Sequence, residues 1–286
     1  MVFGFGLLVT GLFYSLLLEA DSLPTFSDGV GVVEVRGVIY DSRDAIRQLR
    51  EFRKNDRVKA VVLRVDSPGG VVAPSQEINE EVKKLVAVKK VVVSMGSVAA
   101  SGGYYIAAPA TKIYANPGTI TGSIGVLMKF SNIEGLLGKV GMKSFTLKTG
   151  SYKDAGSPVR PMTAEERALL QGVIDTAHGQ FVRAVSEGRK LPLDDVRKIA
   201  DGRILTGEQA LVLKLVDRLG NLQDAIEDAG RLGGIKGEPE IILPAAKKMK
   251  LIDYLVAETV SRIDSVAGYD GHPGITYLMN TMPAAD

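Results

Sequence analysis

Three short stretches hold residue types that suit covalent chemistry: DSPGG at 66–70, SVAASGG at 97–103 and TLKTGSYKDAGSPVRP at 146–161. DSPGG directly follows a strand-like run, VKAVVLRVD (58–66). A Pro-Gly-Gly turn there leaves backbone N–H groups unhindered at the carboxyl end of a strand, where open α/β sheets bind their ligands. SVAASGG follows the next strand-like run, KVVVSMG (90–96), and puts Ser101 where a helix begins. A hydroxyl there lies among free N–H groups at the positive end of a helix dipole. Local sequence fits two roles for Ser101: a helix N-cap, or a nucleophile with a proton acceptor beside it.

The choice of acceptor is narrow. The chain has two histidines, His178 in a periodic helix pattern and His272 in a DGHPG turn, and both read as structural or surface residues. It has no cysteine, which excludes disulfides, thiolate metal sites and a cysteine nucleophile. Two histidines exclude a zinc site built on several, and no metal or cofactor is expected. A lysine serves as base when burial or dipoles depress its pKa. Lys148 and Lys153 are the candidates, and Lys153 sits in a Gly-, Ser- and Pro-rich loop rather than on a charged helix face. A loop lysine is also an ordinary solvated side chain. The Ser-Lys form of the triad logic is sound, but spacing alone does not select it.

These blocks need elements to position them. From residue 31 strand and helix patterns alternate: strands at 31–40, 58–66, 90–96 and 112–116, helices at 41–55, 73–88, 101–110, 205–216 and 222–232. A capping box, Thr163 to Glu166, opens a longer helix whose apolar stripe runs Leu169, Leu170, Val173, Ile174, Ala177, Phe181, Val185. Such alternation predicts βαβ units and a mainly parallel sheet. Residues 247–266 read as an amphipathic helix, and GITYLMNTMPAAD as a flexible or peptide-like tail.

The chain opens with 17 residues free of charge, VFGFGLLVTGLFYSLLL (2–18). That is about the lower limit of a membrane span, ~17–25 residues. A single N-terminal anchor is the expectation; the apolar region of a cleaved signal peptide and a buried core helix are the alternatives. The resulting division is an anchor or signal segment at 1–20, a linker at 21–30, a catalytic domain at 31–240, and an amphipathic helix with tail at 241–286. The net charge is +2, basic residues are scattered, and aromatics make up 6% with no Trp. Nothing there suggests nucleic-acid binding.

DSPGG, SMGSVAASGGYYIAAPATKIYANPGTITGSIGV and GSYKDAGSP together resemble the signal peptide peptidase A family, in its short single-repeat form. The wider resemblance is to the Clp protease proteolytic subunit and the crotonase superfamily, and it covers roughly residues 30 to 235. It implies a repeated β-β-α superhelix with a mainly parallel sheet, preceded by one transmembrane helix. Ser101 matches the family nucleophile, and Lys153, 52 residues on, the general base. Ser123 matches the serine that orients the lysine. Gly69 and Gly70, chiefly Gly70, match one oxyanion donor and Gly102 the other. Lys214 stands where the family commonly has Gly.

The resemblance therefore implies a membrane-anchored serine endopeptidase, single-pass and facing the extracytoplasmic side. It would hydrolyse remnant signal peptides and similar apolar peptides through an acyl-enzyme. Members of this length assemble as homo-oligomeric rings, such as octamers, in which serine and lysine come from neighbouring protomers. The rival readings are a crotonase-like acyl-CoA enzyme and a non-catalytic oligomeric membrane scaffold of the same fold.

Overall fold

The computed structural model describes residues 27–245 and 276–278. The expected N-terminal anchor, the amphipathic helix at 247–266 and His272 lie outside the described residues. Among those described, no helix is long and apolar enough to cross a membrane.

In chain order the elements begin β1 (Gly29–Arg36), α1 (Arg43–Lys54), β2 (Val58–Ser67), β3 (Gly69–Val71), α2 (Val72–Val86), β4 (Lys90–Ala100) and α3 (Gly102–Ala107). Then come β5 (Lys112–Ala115), β6 (Ile120–Gly122), α4 (Glu134–Lys139), α5 (Ala164–Arg189), α6 (Leu193–Ile199), β7 (Ile204–Thr206) and α7 (Gly207–Val212). The last are β8 (Arg218–Leu219), α8 (Leu222–Leu232), β9 (Glu240–Ile242) and β10 (Thr276–Leu278). Eight of the described strands join in one sheet, with β9, β1, β2 and β4 side by side. Its pairings are parallel except β6 with β7. The expected mainly parallel α/β architecture is therefore present.

Parallel sheets are covered on both faces, so their strands read as continuous apolar runs. β2 shows why. Val61, Leu63 and Val65 enter a core shared with Leu49 and Phe52 of α1, Ile78 and Val82 of α2, and Phe181 of α5. Ala60 and Val62 point the other way, beneath Ala225, Ile226 and Ala229 of α8. Cutting a fully buried Leu63 to Ala would cost about 2–5 kcal/mol through lost transfer energy and the cavity left behind.

β4 is the strand that matters for the site. Its first half pairs with β5 through Val92, Val93 and Ser94, and its last three residues pair with β6. Between them the register against β2 jumps from Val65↔Met95 to Ser67↔Ala99. The extra residues form a bulge, which bends the strand and re-aims its last residues. Asp66 of the DSPGG block holds it, accepting the Val98 N–H at 3.0 Å. Thr119 anchors the other side, donating to the Gly96 carbonyl at 2.7 Å. The strand expected at 90–96 therefore runs on to Ala100, because the small residues 97–100 bridge to β6.

Further expectations change: the strand expected at 31–40 is β1, which ends at Arg36 before Gly37 turns with φ 67°, and the helix expected at 101–110 stops at Ala107. The helix expected at 205–216 is one short helix, α7, because Lys214 takes a left-handed φ of 60° that a helix cannot continue. In α5 only the second half of the apolar stripe is buried; Leu169 and Val173 are exposed. Part of the tail read as flexible is the strand β10, antiparallel to β3.

Lys214 carries a testable consequence. A left-handed residue with a Cβ costs about 1–2 kcal/mol, while replacing it by Gly frees the unfolded chain by about 0.4–1 kcal/mol. The first effect wins. Lys214→Gly is expected to stabilise the protein by roughly 0.5–1 kcal/mol, seen as a higher denaturant midpoint at unchanged slope.

Candidate active site

The β4 bulge delivers Ser101 to the start of α3 with φ 53° and ψ −117°. That backbone region is costly for any residue with a Cβ, and residues held in it gather at functional sites. The surroundings fix it in place: the Ser101 N–H donates to the Gly122 carbonyl at 2.8 Å, and its carbonyl accepts from the Tyr105 N–H at 2.8 Å. Ser101 is buried, yet its side chain makes no cap hydrogen bond. The N-cap role that local sequence allowed is thus not the one this hydroxyl plays.

DSPGG meets this turn directly. Gly69 has φ 105°, and a Cβ there would lie 2.1 Å from the Tyr277 carbonyl oxygen and 2.7 Å from the Gly102 amide nitrogen. A Cβ on Gly102 would lie 3.0 Å from the Gly70 amide nitrogen. The two glycine blocks therefore touch backbone to backbone, and only glycine permits it. The Gly69 N–H is donated to Ser67 Oγ at 3.1 Å. The Gly70 and Gly102 amides are the pair that lie close to one another beside Ser101.

Ser123 also arrives. Ser123 directly follows Gly122, whose carbonyl accepts the Ser101 N–H at 2.8 Å, so the two serines lie at the adjoining ends of β4 and β6. Ser123 is left-handed too, with φ 50°, and its N–H donates to the Arg203 carbonyl at 2.7 Å. Lys153 does not arrive. It sits exposed on a loop of the 128–161 excursion, and no hydrogen bond joins it to Ser101 or Ser123. The other candidate, Lys148, is occupied: its Nζ donates to the Ser151 carbonyl at 2.8 Å and to the Asp154 carboxylate. His178 is structural, its Nε2 hydrogen-bonded to the Ala200 carbonyl at 2.8 Å.

The model of peptidase family S49 matches residues 83–236, and that of the Clp protease family residues 35–119. A Synechocystis chain provisionally named a protease is 47% identical over 204 residues, 71% of this chain and 74% of that one. Protease 4 of Salmonella typhi is 37% identical over 233 residues, covering 78% of this chain and 37% of its own length. The chloroplastic serine protease SPPA of Arabidopsis thaliana is 34% identical over 224 residues, 78% of this chain and 32% of that one.

The chain belongs to peptidase family S49. It is thereby a serine peptidase, and the matched part spans most of the Synechocystis relative but about a third of the two longer proteins.

In this S49 chain the groove beside Ser101 is filled by the protein's own β10. Thr276 exchanges two backbone hydrogen bonds with Leu127, at 3.2 and 3.3 Å, while Thr276–Leu278 pairs with Val71–Gly69 on the other side. An extended segment is thus zipped between two edges, the β-addition mode of peptide binding. Tyr277 is fully buried in an aromatic pocket, its ring centroid 5.1 Å from Tyr105 and 4.8 Å from Phe181. Its hydroxyl donates to the Ala177 carbonyl at 3.1 Å. Burial pushes the Tyr277 and Tyr105 phenols above their ordinary pKa. Sequence reasoning missed this pocket and the role of Leu127. A three-residue strand gives no readable alternation, and Phe181 reads as one more residue of a helical apolar stripe.

Tyr277→Ala removes the aromatic anchor of β10. It is expected to raise the rate of cleavage of an apolar peptide severalfold and to lower its KM. An unchanged KM would mean that β10 does not compete with substrate.

Proposed function

We propose that the chain is a membrane-anchored serine endopeptidase in which Ser101 is the nucleophile and Lys153 the general base. The observation that carries this reading is the Ser101 turn: a buried, left-handed serine, unused as a cap, facing Gly70, Gly102 and a groove that holds an extended peptide segment. Neutral Lys153 takes the Ser101 proton as Oγ attacks the scissile carbonyl. The Gly70 and Gly102 N–H groups receive the oxyanion, with Gly69 shaping the turn; one such donor is worth about 3–4 kcal/mol in a characterised protease. Lys153 then protonates the leaving amine. Water, deprotonated by the same lysine, hydrolyses the acyl-enzyme and restores Ser101. In this reading Ser123 orients the lysine. An apolar peptide that pairs along β3 suits this groove, and remnant signal peptides are such substrates; a signal peptide peptidase name is carried by an Enterococcus faecium relative 39% identical over 189 residues.

The lysine comes from a second copy in this reading. The excursion that carries Lys153 exposes Phe130, Leu136, Val140, Met142, Phe145 and Leu147, and Phe145 and Leu147 are 86% and 93% exposed. Contiguous exposed apolar surface of this kind marks an interaction site. A homo-oligomeric ring, facing the extracytoplasmic side from its N-terminal anchor, would cover it and bring Lys153 to a neighbour's Ser101. The acyl-CoA alternative is disfavoured, because the groove is built to pair with a strand.

Ser101→Ala and Lys153→Ala should each abolish peptide cleavage, by at least ~10³-fold if they act as one unit. Mixing the two inactive variants and letting subunits exchange should restore part of the activity. Two active single variants would sink the dyad; two inactive variants without rescue would sink its intersubunit form.

A further inference from the structure

The loop that bears Lys153 is held by an ion cluster with no part in the chemistry described above. Arg160 reaches the Asp154 carboxylate with two nitrogens, Nε at 3.0 Å and Nη2 at 2.8 Å, and the Asp154 carbonyl with Nη2 at 3.1 Å. The same guanidinium reaches the Pro161 carbonyl and the Glu166 carboxylate with Nη1, at 3.0 and 2.9 Å, and Glu166 again with Nη2. Glu166 in turn accepts the Thr163 N–H at 3.0 Å and caps α5. Lys148 joins the cluster at Asp154 Oδ1, the oxygen that Arg160 Nη2 also reaches. The planar fork of Arg160 thus ties the residue next to Lys153 to the first turn of a 26-residue helix.

The cluster also settles charge. Asp154 immediately succeeds Lys153 in the chain. A carboxylate near an amine favours the charged amine, which is the wrong form for a base. Asp154 is held well below the ordinary carboxylate range, by Arg160 first and Lys148 second. Glu166 is held at about 2 by Arg160 and then by the Thr163 N–H. The charged groups that meet here are Lys148 and Asp154 of the loop, Arg160 of the linker, and Glu166 of α5, with Glu165 next along that helix. The four bonded groups sum to zero. Lys153 itself makes no ion pair with a described residue.

We infer that Arg160 is a positioning residue for Lys153: it fixes the loop that presents the lysine and cancels the carboxylates beside it. This rests on Lys153 being the base. Removing the Arg160 charge leaves the cluster one unit negative, which favours protonated lysine and so keeps the base disabled up to a higher pH.

The test is the pH profile of kcat/KM for an apolar peptide in the full-length oligomer. Arg160→Met is expected to move the acid limb up by a few tenths of a pH unit, the order expected of one nearby charge in a water-rich surrounding. Adding Asp154→Asn restores neutrality and should return the limb. Arg160→Lys keeps the charge without the fork, so kcat should fall while KM and the limb stay. Activity lost in Arg160→Met with the limb unmoved, or a limb that Asp154→Asn does not return, overturns the proposal. If Arg160→Met fails to fold, Arg160→Lys decides: unchanged kcat overturns it. Activity persisting in Lys153→Ala would instead defeat the dyad reading.

Discussion

The site depends on one carboxylate accepting one N–H. Asp66 receives the Val98 amide and so stabilises extra residues in β4 against β2. Without that bulge, β4 would keep a single neighbour on its outer side. With it, the strand leaves β5, takes up β6 and ends at Ser101 in a backbone conformation that ordinary strands and helices do not offer. Left-handed residues cost on the order of 1–3 kcal/mol each, and Ser101 and Ser123 both carry that cost. The two-sided core offsets it, since each fully buried Val or Leu of β2 and β4 contributes about 1.5–3 kcal/mol.

The same economy governs the glycines. Backbone-to-backbone contact between residues 69–70 and 102 excludes any Cβ. Such contact leaves amide groups as the chemical surface, and amides stay neutral and fixed where side chains would titrate or move. An oxyanion is best met by donors that need no reorganisation. The neighbouring groove is lined in the same way, by the backbone of β3 and Leu127, and holds β10 by its main chain. Tyr277 of β10, fully buried, enters the pocket of Tyr105 and Phe181 beneath it.

Much of this was legible in the sequence, and the reasons differ from part to part. β2 and α8 were found because periodicity and caps act locally: Asn221 accepts from Gln223 and Asp224, and α8 has the bounds the pattern predicts. The Ser101 and DSPGG blocks stood out because glycine pairs after strands are rare without purpose. Three features were not legible. The bulge depends on a contact between residues 66 and 98. The end of α7 depends on the φ of one residue. β10 depends on partners about 200 residues upstream, and nothing in TYL announces them. The exposed half of α5 was misread for a further reason: an apolar stripe reports burial, but not whether this chain or another surface does the burying.

Lys153 gives that last point its chemical weight. Burial disfavours the charged form of an amine, and a loop that projects from the fold provides none. On the proposed reading, burial comes only when the apolar excursion docks on a second copy. A separate chain then holds a nucleophile without a base, and a groove already filled by β10. Assembly supplies the first missing part, and a competing peptide removes the second obstacle. On that same reading this is a physical safeguard, because neither the Ser101 turn nor the Lys153 loop could cut a peptide until the other protomer and the substrate were both in place.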